Sequence, residues 1–178
     1  MKQFIHTLRH FRRDEDGNAT VEFAILFPFF IFMFCAAVEL GMITFRHSML
    51  ERGLDLAVRD VRLTTGANFQ HNDIKDLTCQ YAGFLPDCDT QLHLEMQPLD
   101  MRNFTAPSTA ARCTDITQVA NPIRQFRNGQ QNEMMILRAC YVFKPVFPLT
   151  GLGRHLDWDG NNNAWMIATS SFVQEPRY

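Results

Sequence analysis

Hydrophobic and polar positions follow different rules in successive parts of the chain. Residues 23–38, FAILFPFFIFMFCAAV, carry no charge, and after Glu39 the apolar run resumes as LGMITF before Arg46. A helix from Phe23 to Phe45 would reach roughly 33 Å, against a bilayer hydrocarbon core of about 30 Å, so this stretch predicts a single membrane-spanning helix with some tilt. Beyond it, Met49, Leu50, Leu54, Ala57, Val58 and Val61 recur at intervals of three and four residues. That spacing places them on one helical face and continues the helix to about Thr64. Arg52, Asp55, Arg59 and Arg62 occupy the opposite face. Anchor and stalk are therefore expected to form one rod.

Further along, Asn72 reads as the cap of a short helix running through Tyr81, with Ile74, Leu77 and Tyr81 inward. Three later segments are extended in pattern. Residues 91–99, QLHLEMQPL, alternate polar with apolar, while residues 133–147 and 164–173 are rich in β-branched and aromatic side chains and are bounded by turn formers. Pro145 and Pro148 predict that the second of these strands lies near an edge or ends there. Residues 100–132 read as a long connection with a helical turn near Asp115 to Phe126. An amphipathic rod and a one-faced sheet bury each other, so the expected class is α+β: a long amino-terminal transmembrane helix and stalk packed on an antiparallel sheet of about three strands.

Charge adds orientation. Lys2, Arg9, Arg12 and Arg13 precede the apolar run, and the positive-inside tendency puts that end in the cytoplasm. The remainder then faces the periplasm or the exterior. A formal net charge of -2 provides no electrostatic footprint for nucleic acid. Cys79, Cys88, Cys113 and Cys140 all lie beyond the span, where an oxidising compartment favours disulfides; four thiols allow three pairings and the sequence does not choose. Cys79 with Cys88 closes the shortest loop, and Cys113 with Cys140 would follow. No catalytic motif is present: the histidines are scattered, and His93-Leu94-Glu95 lacks the paired cysteines of a zinc deaminase. Neither a cofactor nor a resident metal is expected. Asp157, Asp159 and Asn161 alternate as calcium ligands do, but the nearby glycine is misplaced for an EF-hand and no glutamate closes the loop; a turn between strands explains the same letters.

A carboxylate and a proline at the mouth of an anchor are unusual, since a charge in hydrocarbon is expensive and proline removes a helix donor. The stretch ATVEFAILFPFF…VELG, preceded by a basic leader and Gly17, resembles the TadE/TadF family of pseudopilins from bacterial tight-adherence (Flp-type) pilus assembly, and SSFVQEPRY is similar to that family's closing segment. The resemblance implies a leader, residues 1–17, cut after Gly17 by a prepilin peptidase, then an inner-membrane span (18–45), a stalk (46–66) and a periplasmic globular domain (67–178). Cleavage would expose an ammonium on Asn18, four residues before Glu22. A neighbour's ammonium could pair with Glu22 when subunits stack out of register, with Phe23 opening the contact and Pro28 loosening the helix beyond it. The resemblance also implies a non-enzymatic minor pseudopilin. Its partners would be the peptidase, the polytopic assembly platform, the major Flp-type pilin, other TadE/TadF-like minor pilins and membrane lipid. Glu39 is expected to mark the outer membrane interface. A rival reading makes residues 1–37 an ordinary signal peptide, cut beside Cys35-Ala36-Ala37, ahead of a periplasmic binding module.

Overall fold

The computed structural model describes residues 18–64, 69–104, 126–148, 152–153, 156 and 163–176, leaving aside the side chain of Asn18. Helix α1 spans Asn18–Leu63, α2 His71–Ala82 and α3 Cys88–Gln91, followed by strands β1 (Leu92–Pro98), β2 (Met134–Phe143) and β3 (Ala164–Val173). The architecture is α+β, as the sequence pattern requires. The strands form one antiparallel sheet in the order β1-β2-β3. Leu94 stands opposite Ala139, and Ala139 opposite Ala168, so the alternating apolar positions of all three strands share one face.

That face carries Leu92, Leu94, Met96, Met135, Leu137, Ala139, Tyr141, Met166 and Phe172, all buried with Leu50, Leu54, Val58 and Val61 of α1 in a single core. Two layers result, with the carboxy-terminal half of the rod and α2 on one side of the sheet. β2 is central and stops at Phe143, so Pro145 lies beyond the ladder, where its missing donor costs no pairing. On the far face, Glu95 and Arg138 stand directly opposite each other, their charged groups 3.6 Å apart.

Helix α2 departs from expectation in two ways. Its cap is Gln70, whose backbone N–H donates to Asp73 Oδ2 at 2.8 Å, so the helix begins two residues earlier than an Asn72 cap allows. Its inward residues are Ile74, Thr78 and Ala82, while Leu77 and Tyr81 are half-buried. The cause is the close approach of α1: a Cβ on Gly53 would lie 2.7 Å from the Thr78 carbonyl oxygen and 2.8 Å from the Ala82 Cβ. Small residues, rather than the most apolar ones, therefore face the rod. Thr78 is admitted because its hydroxyl donates to the Ile74 carbonyl at 2.7 Å, so its own donor is paired in the core.

The segment joining α2 to β1 is held by a disulfide between Cys79 and Cys88, the pairing expected from the shortest loop. Cys140 is also disulfide-bonded, and Cys113 lies outside the described residues. The expected helical turn near Asp115 falls outside them too; at its end, Phe126 forms an isolated parallel bridge with Met96.

Candidate functional site

Helix α1 carries the residues singled out by the sequence. Every residue from Ala19 to Phe34 is exposed, including Glu22 and the large apolar side chains Phe23, Ile25, Phe29 and Phe30. Exposed apolar surface on this scale needs a covering medium. The helix is long and apolar enough to cross a membrane once. Its length agrees with a bilayer: from Phe23 to Phe45 it rises about 33 Å.

Asn18 is the first described residue of α1, and Glu22 lies one helical turn further on, so the two share a side of the helix. Among the described residues, the Glu22 carboxylate has no hydrogen-bond or ion-pair partner. Phe23 stacks on Phe27 with ring centroids 5.0 Å apart, which joins the first two turns into one aromatic ridge. Pro28 sits inside α1, and the helix is continuous across it. Gly17, which precedes the helix, lies outside the described residues, as do Asp157, Asp159 and Asn161. Among the described residues, no group of histidine, cysteine and carboxylate side chains is arranged to hold a metal ion.

At the other end of the exposed stretch the structure corrects the expectation for Glu39. Its side chain is 1 % exposed, one of the most buried in the protein. The carboxylate accepts the backbone N–H groups of Val146 at 3.2 Å and Phe147 at 2.8 Å, from the segment that follows β2. Two turns along, the Arg46 guanidinium donates to the Lys144 carbonyl at 3.2 Å and stands 5.3 Å from the centre of the Phe143 ring. Glu39 and Arg46 thus clamp residues 143–147 against the rod from two levels. A buried carboxylate is tolerated here because charge-assisted donors replace its water. The sequence held a signal for this contact: a lone acid within an apolar run, matched by a Pro-Val-Phe-Pro segment able to offer only two backbone donors.

The same corner contains Tyr141, whose hydroxyl donates to the Pro86 carbonyl at 2.6 Å. Burial raises its pKa above the ordinary tyrosine value; Arg46 opposes the shift and Asp87 reinforces it. Higher on the rod, the Tyr81 hydroxyl donates to Asp60 Oδ2 at 2.5 Å, and that bond is the main cause of a raised Tyr81 pKa. At the top, Arg62 Nε pairs with Glu175 Oε1 at 3.0 Å, fastening the segment after β3 to the last turn of α1. These contacts position the rod on the head. None of them brings a nucleophile, a base and an oxyanion donor together.

Residues 17–59 match the family described as TadE-like protein, a match that begins at Gly17 and ends within the packed half of α1. No curated protein and no solved structure matches the chain.

Proposed function

We propose that the chain is a non-enzymatic minor pseudopilin that acts in assembling a Flp-type pilus, anchored once in the inner membrane with its head in the periplasm. The observation that carries this reading is the TadE-like match, which begins at Gly17 and runs along a continuous apolar helix, described from Asn18 onward, that exposes Glu22 without a partner among the described residues. A prepilin peptidase would cut after Gly17 and free the Asn18 ammonium. Within the membrane, an unpaired carboxylate costs several kcal/mol. Docking against a sibling helix, whose own new ammonium reaches Glu22, removes that cost and sets the stagger between subunits. Attraction and register then come from one side chain. Pro28 deprives the Ala24 carbonyl of its helical partner and softens the rod where it must leave lipid. The head would meet the assembly platform, the major pilin or other TadE/TadF-like minor pilins.

Two measurements test the reading. Terminal sequencing of protein extracted from its native membrane should begin at Asn18; a start near Val38 would establish the rival secreted module instead. Glu22→Ala should abolish surface pili while leaving membrane insertion and the urea midpoint of the head unchanged. Normal piliation in that variant removes the carboxylate from the mechanism.

A further inference from the structure

We propose that the underside of the head is itself a lipid-contacting surface, in which Val146, Pro148 and the ring of Phe84 enter the outer edge of the bilayer on different sides of α1. This rests on reading α1 as the membrane anchor. Taking Glu22 as the first residue in hydrocarbon, Glu39 lies about 26 Å along the axis and Phe45 about 35 Å, so a core of about 30 Å ends between them. The segment clamped to Glu39 is therefore at the level of the acyl chains, and Phe45 at the level of the headgroups.

Non-helical backbone at that depth must have its N–H and C=O groups satisfied, and here the N–H groups are. Pro145 and Pro148 have no N–H, and the N–H groups of Val146 and Phe147, the only two between them, both donate to Glu39. Every backbone donor of Pro145-Val146-Phe147-Pro148 is thus either absent or paired within the chain. Water would supply partners to such a loop at no cost, and a protein neighbour would offer carbonyls of its own. Hydrocarbon offers none, and is the surrounding for which this arrangement is suited. The side chains agree: Val146 is 47 % exposed and Leu152 is also exposed. A Cβ on Gly153 would lie 2.5 Å from the Phe147 carbonyl oxygen, so the following turn packs directly against this segment.

On the other flank, Leu40, Met42 and Phe45 keep the exposed apolar surface of α1 continuous past Glu39. Phe84 extends it, edge-on to Phe45 with centroids 5.9 Å apart, and at 73 % it is the most exposed large apolar side chain in the described structure. The Cys79–Cys88 disulfide closes the loop that presents it. Arg46 and the exposed Lys144 lie beside this apolar ring, where long basic side chains can reach headgroup phosphates while their stems remain in contact with apolar surface.

The test uses the full chain at one copy per lipid nanodisc, made of phosphatidylethanolamine and phosphatidylglycerol with nitroxide-bearing acyl chains. With Cys35→Ser as background, an environment-sensitive fluorophore is placed by Val146→Cys, by Phe30→Cys in the anchor, or by Met101→Cys at the opposite end of β1. Lipid contact predicts quenching at 146 that is several-fold stronger than at 101 and approaches that at 30. Quenching at 146 no greater than at 101, with 30 strongly quenched, overturns the proposal and leaves the anchor intact. Loss of quenching at 30 as well removes the anchor and the proposal together. Protection at 146 that appears only when several copies share a vesicle assigns this surface to a second copy of the chain and also overturns it. None of these outcomes depends on piliation, which Glu22→Ala reads separately.

Discussion

From Ala19 to Phe34 helix α1 holds every side chain in the open, whereas from Glu39 to Val61 one face of the same helix is closed by α2, β3 and the segment after β2. Apart from Thr20 and Glu22, the exposed half is apolar all round. The packed half is amphipathic, with Leu50, Leu54 and Ala57 within and Arg52, Asp55 and Arg59 without. A helix takes its pattern from what surrounds it: lipid is apolar on every side and rewards no stripe, while a head in water rewards one. The transition occurs at Glu39, the first side chain of α1 to be fully enclosed.

The sharpest way to break this comparison is to apply the same truncation to both halves. Leu54→Ala, at a side chain 1 % exposed, should cost about 3–5 kcal/mol in urea unfolding of the detergent-solubilised chain. Phe29→Ala, at a side chain 68 % exposed, should change the same midpoint by no more than about 0.5 kcal/mol. Equal losses would mean that the exposed half is packed on the head.

Glu39→Ala tests the transition itself. It strands two buried donors and should cost about 2–4 kcal/mol, with Glu39→Gln recovering part of the loss because one oxygen remains to accept. A variant as stable as the parent would show that Val146 and Phe147 find other partners.

Gly53→Ala gains helix propensity yet places a methyl group against the backbone of α2, so a net loss of about 1–2 kcal/mol is expected, read as a lowered urea midpoint. At an exposed, unobstructed position such as Gly41 the same exchange should stabilise slightly.

The smallest effect is pH-dependent. Burial holds the Tyr141 phenol above its ordinary value of 10.0, so the folded protein binds that proton more tightly than the unfolded chain. Its contribution is complete below that pH and is lost as pH rises past it through the folded-state pKa. Tyr141→Phe should lower stability near neutrality by about 0.5–1.5 kcal/mol through the lost bond to Pro86, and should flatten part of the alkaline decline in urea midpoint.

Regular periodicities were the legible part of the fold. The rod from the apolar run through Val61 and the strand Ala164–Val173 follow directly from helical and alternating spacing, because one-sided burial imposes those periods on the residues themselves. The inward face of α2 was not legible: Thr78 and Ala82 are inside because Gly53 lets two backbones approach, and close packing of small residues leaves no hydrophobic signature. Glu39 was misread for a related reason. A carboxylate at a membrane edge and one buried under a loop have the same sequence, and only the register of residues 146 and 147 against α1, a contact between distant parts of the chain, separates them. At the candidate site, the TadE-like segment was anticipated from residue order, whereas Arg46 acquires its role only through the carbonyl of Lys144.

Because α1 passes from open to enclosed without an intervening loop, traction on its amino-terminal end reaches the head in shear. The contacts from Leu50 to Val61, spread over about 17 Å of axis, then share the load together rather than parting one at a time as they would if peeled. Such a joint can transmit a pull along the rod while still coming apart readily when the head is levered sideways.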